Sequence, residues 1–281
     1  MADLTSVRAR PSTSFPLRAE LGRQLRRRRT KGIFLVLTVL PLILLLAFWL
    51  GQDENDSGQR GFVDLAQESG ANLVVFTLFA STSFLLIIIV ALFAGDTVPS
   101  EASWSSLRYL LAAPVRRERL LRQKLIVAVL SSVAALLYLP AWTLLVGGIA
   151  YGWGNLVGPT GEQLGWPTIG WRLLIIICYL ALSLSVVGAA AFAIGVTTDA
   201  PLAAVGGAVL MMIVFAILDS IPALGDIRHG LPGHYAYAWA DALAPHVDYS
   251  EMITGALWSV GYAILLVGFA FWHFLRKDIT S

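Results

Sequence analysis

A chain of 281 residues that is 57% apolar and only 14% charged, with a mean hydropathy of +0.73, does not have the composition of a soluble domain, where about 25% charge is usual. Its one cysteine, Cys178, excludes an intrachain disulfide and a cluster of thiolate metal ligands. The net charge of +2 acquires meaning only when the charges are placed along the chain.

Residues 1–14 are rich in Ser, Thr, Pro and Arg and predict a disordered tail. From Phe15 to Lys31, Leu17, Leu21 and Leu25 recur at helical spacing among Arg18, Arg23 and Arg26–Arg29. That pattern predicts an amphipathic helix (residues 15–32) on a membrane surface. Arg26–Lys31 also reads as a simple basic anchor for the first span. Residues 33–275 then carry six apolar runs long enough to cross a hydrocarbon core of roughly 30 Å: about Ile33–Leu50, Leu73–Ala94, Leu125–Gly152, Leu173–Val196, Pro201–Leu218 and Ile253–Leu275. Backbone polar groups in lipid must be satisfied internally, so the class expected is an all-α membrane protein of six transmembrane helices. Pro41 and Pro140 are expected to kink spans one and three. The five residues between spans four and five predict a tight helical hairpin, with Asp199 as cap and Pro201 at the first helical position.

Basic residues orient the chain. Seventeen of the twenty Lys and Arg precede span one, lie between spans two and three, or follow span six; only Arg60, Arg172 and Arg228 fall in the other loops. Both termini, including the 276–281 tail, are therefore expected in the cytoplasm, and loops 51–72, 153–172 and 219–252 outside. The long basic lead and the lack of an A-x-A site after span one do not suit a cleaved signal peptide.

The insert at 95–124, GDTVPSEASWSSLRYLLAAPVRRERLLRQK, is the most informative segment. Ser100 can cap a helix beginning at Glu101, whose carboxylate suits the N-terminal dipole. Trp104, Leu107 and Leu111 fall on one face, Arg108 adds charge, and Pro114 stops the helix before Arg116 and a second basic helix lead into span three. On the residues alone, docking to another protein and anchoring at the inner membrane surface both remain open.

Other chemistry finds little footing. The chain contains no G-x-x-x-x-G-K-[ST] phosphate loop, no H-E-x-x-H and no G-x-S-x-G, so neither a catalytic site nor a cofactor site is expected in it. His229, His234 and His246 share a loop with Asp226, Asp241 and Asp248, but their spacing fits no standard metal pattern. Basic residues at a membrane boundary are ordinary, so nucleic acid is not an expected partner, whereas membrane lipid is. An ion-coupled carrier usually needs an ionisable group in mid-bilayer, and none lies in the middle of these spans. A non-transporting assembly protein is a further alternative. Thr77, Ser81, Thr82 and Ser83 give span two some polarity, read here chiefly as helix–helix hydrogen bonding. Trp49, Trp153, Trp166, Trp171 and Trp258 read as interfacial belt residues. Ala203/Gly207 and Ala204/Ala208 in span five are small residues at a spacing that lets helices approach closely, within one chain or between two.

Glu101, Leu107, Arg108–Leu111, Pro114–Val115, Arg116–Arg117 and Lys124 resemble the cytoplasmic loop of permease subunits of ATP-binding-cassette exporters with the type V fold. Ser105–Ser106 stand where that family often has Gly-Thr. The amphipathic lead, the six spans, the long loop before span six and the Arg276–Asp278 tail are similar in organisation. The resemblance implies an elbow helix at 15–32 and a coupling helix that seats Glu101, Trp104, Leu107, Arg108, Leu111, Pro114 and Arg116 against a separate ATPase subunit. It implies two ATPase copies holding ATP and Mg, and a second permease chain, identical or paralogous, meeting this one near Ala203 and Gly207. The expected activity is export of a hydrophobic or amphipathic molecule, such as an antibiotic, drug or lipid, across a bacterial cytoplasmic membrane. Heavy use of Ala, Gly, Val and Arg with only three Lys hints at a GC-rich genome.

Overall fold

The computed structural model describes residues 17–51, 61–99, 117–158, 161–244 and 246–276. Helix α1 (Leu17–Arg26) leads through an extended Arg27 (φ −63°, ψ 135°) into α2 (Arg28–Leu50). A short α3 (Phe62–Ala66) precedes α4 (Gly70–Thr82) and α5 (Leu85–Gly95). Next come α6 (Arg117–Tyr151), a two-stranded hairpin of β1 (Leu156–Val157) and β2 (Gln163–Leu164), α7 (Trp166–Ser183), α8 (Ser185–Thr197) and α9 (Pro201–Asp219). Two 3-10 segments, Pro222–Gly230 and Ala238–Leu243, lie before α10 (Ser250–Arg276).

Among the described residues, five helical stretches are long and apolar enough to cross a membrane: α2, α6, the 32-residue run Trp166–Thr197, α9 and α10. The bent pair α4–α5 makes a sixth if it crosses as one span. The α7–α8 junction at Leu184 keeps the helical ladder, with Leu184 N–H donating to Leu180 and Gly188 N–H to Leu184. At 1.5 Å per residue α6 is roughly 52 Å long. It therefore outruns the hydrocarbon, and the surplus carries Arg119, Arg122 and Lys124.

The broken span is the second. Pro41 and Pro140 lie inside helices that run on without a break, whereas α4 and α5 meet at 62°. Three hydroxyls in α4 turn back onto their own helix before the bend: Thr77 donates to Leu73 O, Ser81 to Thr77 O and Thr82 to Leu78 O. Such back-bonding loosens and bends helices. These groups are thus spent inside α4 rather than between helices. Phe84, at φ −137° and ψ −61°, takes the break and is exposed. In the span-four/five hairpin, Ala200 rather than Asp199 holds the cap position, and Thr198 Oγ1 accepts the Ala200 N–H.

Each half of the bent span has its own tight partner. A side chain added at Gly70 would meet the backbone N of Gly148 at 2.6 Å, so α4 touches α6 backbone to backbone. At the far end, a Cβ on Gly195 would lie 2.8 Å from the Gly95 carbonyl oxygen, which brings α5 equally close to α8. Between them Leu78, Leu86, Phe93 and Phe192 are almost fully buried. Within lipid this core is held by dispersion and close packing rather than by exclusion of water.

At the loop end, Asn72 stands in for a third strand. Its Nδ2 donates to Val157 O at 2.8 Å and its Oδ1 accepts the Val157 N–H at 3.0 Å and the Ser69 hydroxyl at 2.8 Å. The segment before α10 is tied down by Arg172 Nη1 to Ala244 O (2.6 Å), Tyr262 Oη to Gly230 O (2.7 Å) and Tyr179 Oη to Tyr235 O. Trp239, fully buried, rests its ring 4.4 Å from that of Phe79.

Candidate functional site

Charged side chains converge at the basic end, where α1, the end of α5 and the start of α6 meet. The break at Arg27 turns two arginines toward α5. Arg27 Nη1 donates to Asp96 Oδ2 at 3.1 Å, and Arg29 Nη2 pairs with the same oxygen. Arg29 Nη2 also donates to Leu92 O at 3.1 Å. A cation over the last carbonyls of a helix is favoured by the helix dipole, so Arg29 serves both the carboxylate and the α5 terminus. Asp96 itself sits at the C-cap of α5 and is buried.

A second set of contacts lies beside it. Lys124, 4% exposed, donates from Nζ to Thr97 O at 3.0 Å and lies 3.9 Å from Glu20 Oε1. Arg23 Nη2 holds the same Glu20 oxygen at 2.8 Å. Thr97 Oγ1 donates to Ala94 O at 2.8 Å, fixing the turn that carries the accepting carbonyl. A buried ammonium is tolerable only with partners of this kind. The result is a charged clamp on both sides of the 100–116 segment: Arg27 and Arg29, at the junction of α1 and α2, hold Asp96 before it, and Glu20 of α1 lies against Lys124 after it.

Of the residues singled out in the sequence, Glu101, Trp104, Leu107, Arg108, Leu111, Pro114 and Arg116 lie outside the described residues. Ala203 is exposed on α9. Gly207 is half-buried, and a Cβ there would approach Ile194 Cδ1 at 3.2 Å, while Ala204 and Ala208 are fully buried within the chain. His234 Nδ1 contacts Asp219 Oδ1, and the His229 ring lies edge-on to it at 4.9 Å. Among the described residues no three His, Cys, Asp or Glu side chains are placed to hold a metal ion.

The clamp is what sequence reasoning missed. Asp96 was visible only as a charge at the end of an apolar run, and Lys124 only as part of the basic loop before span three. The available signal was an acid closing one span opposite a run of arginines opening another.

The model of the ABC-2 family transporter protein matches residues 18–198, from α1 through α8. The chain belongs to the ABC-2 transporter family. It is thus the permease subunit of an ATP-binding-cassette transporter and a multi-pass membrane protein. No curated protein matches this ABC-2 permease. The family match takes in the whole clamp: Glu20, Arg27, Arg29, Asp96 and Lys124 all fall inside it.

Proposed function

We propose that this ABC-2 permease carries a hydrophobic or amphipathic molecule out of a bacterial cell, driven by a separate ATPase subunit that docks on Glu101–Arg116. The termini and the clamp are cytoplasmic, as the distribution of Lys and Arg favours. ATP and Mg belong to the ATPase, of which two copies serve a pair of permease chains, and the pair meets along α9 near Ala203. No catalytic or cofactor-binding residue is assigned to this chain.

The observation that carries this reading is the clamp. A segment that passes force from a motor to membrane helices needs stiff attachments on both sides. Asp96 is fixed to Arg27 and Arg29, and Lys124 to Thr97 and Glu20. A displacement at the ends of the 100–116 segment is then passed to α5 and α6 together with α1 and the start of α2. The mid-spans carry no Asp, Glu, Lys, Arg or His, which suits an apolar cargo and leaves an ion-driven carrier without its usual coupling group.

The test is Leu107→Asp in the full-length chain, co-expressed with its cognate ATP-binding-cassette ATPase. Burying a leucine in a partner groove is worth roughly 1.5–3 kcal/mol. The expected result is normal membrane insertion with loss of ATPase capture and of efflux, and a milder loss for Glu101→Ala. Unchanged capture and efflux in both variants would reduce the segment to a membrane anchor.

A further inference from the structure

A cavity of about 360 Å³ opens at the loop end, between α3, α4, the hairpin and the second 3-10 segment. Small-molecule sites span roughly 300–1,000 Å³. Its wall is aromatic: Phe62 from α3 lies 5.1 Å from the Phe76 ring and 5.4 Å from that of Phe79. Ala240 closes the far side. Asn72 also borders the cavity, but its amide is committed to Val157 and Ser69, so it builds the wall.

One ionisable side chain among the described residues lines this space, and it is an acid. Glu162 is half-buried, with its carboxylate lying over Gly158 on the hairpin turn. On the other flank of α3, Asp64 and Glu68 line a second, more polar cleft. The short helix thus separates an aromatic chamber from a carboxylate-bearing slope. An aromatic wall attracts a cation to its ring faces, and the Glu162 carboxylate at its edge favours the same sign. An anionic head group meets repulsion here, and a purely apolar guest makes no use of the acids.

We propose that the chamber bounded by Phe62, Phe76, Phe79 and Ala240 binds the apolar body of an amphipathic organic cation, whose charge faces Glu162. This deepens the export reading, on which it rests for the direction of transport but not for binding itself.

Tetraphenylphosphonium and tetraphenylborate test it, because they share size and shape and differ in the sign of charge. Each is titrated onto the purified full-length chain in lipid nanodiscs, with empty nanodiscs as the partition control. The expected result is one saturable site per chain for the cation and only unsaturable partition for the anion. Ala240→Trp fills the chamber and removes the saturable binding. Phe62→Ala, at a half-exposed position that tolerates truncation, weakens it, and Glu162→Gln weakens it by about threefold to tenfold. Thermal unfolding checks that each variant is folded, and Phe62→Ala carries the test if Ala240→Trp is not. Equal binding of the two ions, no saturable binding of the cation, or binding that survives these substitutions overturns the proposal. ATPase capture is followed in parallel: a chain that captures its ATPase but does not discriminate the ions loses this inference and keeps the export reading.

Discussion

Lys124 Nζ donates to the carbonyl oxygen of Thr97 at 3.0 Å, joining residues that stand twenty-seven apart on either side of the basic insert. The bond closes the insert at its neck, and both partners are buried.

The first prediction concerns that neck. Lys124→Met leaves a buried carbonyl without its donor, a loss of about 1–3 kcal/mol. Breaking a fully buried ion pair costs about 3–5 kcal/mol, but the Arg27 and Arg29 side chains are 25% and 31% exposed, so Asp96→Ala should cost about 1–3 kcal/mol by the same reasoning. Both variants should insert normally, bind the ATPase and lose efflux. Wild-type efflux from both would show that the neck carries no force.

How much of this was legible beforehand depends on range. The spans were readable because apolar runs of twenty residues have few other homes: α2, α9 and α10 contain the expected segments with extensions of a few residues, and α6 begins eight residues before the expected Leu125 and stops at Tyr151, one residue short of Gly152. The bend at Ser83–Phe84 was not, since no Pro or Gly marks it and serine and threonine are common within spans. Three side chains just before it bond back to their own helix, an arrangement that often accompanies bending but that local sequence does not announce. The clamp was hidden for another reason. Arg27 and Asp96 are sixty-nine residues apart, and local pattern says nothing about which charges will meet.

The second prediction rests on backbone contact. Gly70→Ala and Gly195→Ala each force a methyl group against main-chain atoms that cannot step aside, an overpacking cost of about 1–3 kcal/mol. Gly206→Ala meets nothing within 4 Å and should be neutral or gain about 0.5–1 kcal/mol from helix propensity. Melting temperatures in detergent distinguish them; a Gly195→Ala chain as stable as the Gly206→Ala chain would contradict the packing described.

A third prediction separates subunit contact from internal packing on α9. Gly207→Leu is a poor probe because it strikes Ile194 of its own chain. Ala203 is exposed beside Leu202, itself 84% exposed. Ala203→Leu should therefore leave the melting temperature unchanged while reducing crosslinked dimer. Undiminished crosslinking would move the contact to another face.

The fourth prediction is the orientation. Cys178 is first replaced by serine to remove the native thiol. Gln163→Cys and Ile227→Cys, at exposed positions, should react with an impermeant thiol reagent on intact cells. Ser12→Cys should react only after permeabilisation, and earlier labelling there would invert the topology. Gln163 is a better choice than Gly161, whose φ of +87° disfavours any side chain.

The 62° bend also bears on how the protein is made. The two halves of span two, 13 and 11 residues, are only about 20 Å and 17 Å long, each short of the roughly 30 Å that a helix must cover alone. Their junction carries irregular backbone that lipid does not accept without protein around it. The surfaces that receive those halves, Gly148 on α6 and Gly195 on α8, are synthesised later. Span two must therefore wait near the bilayer until its successors emerge, so the order of assembly departs from the order of translation. Ribosome-bound chains halted before Arg117 should keep this segment open to protease, and chains extended past Thr197 should protect it.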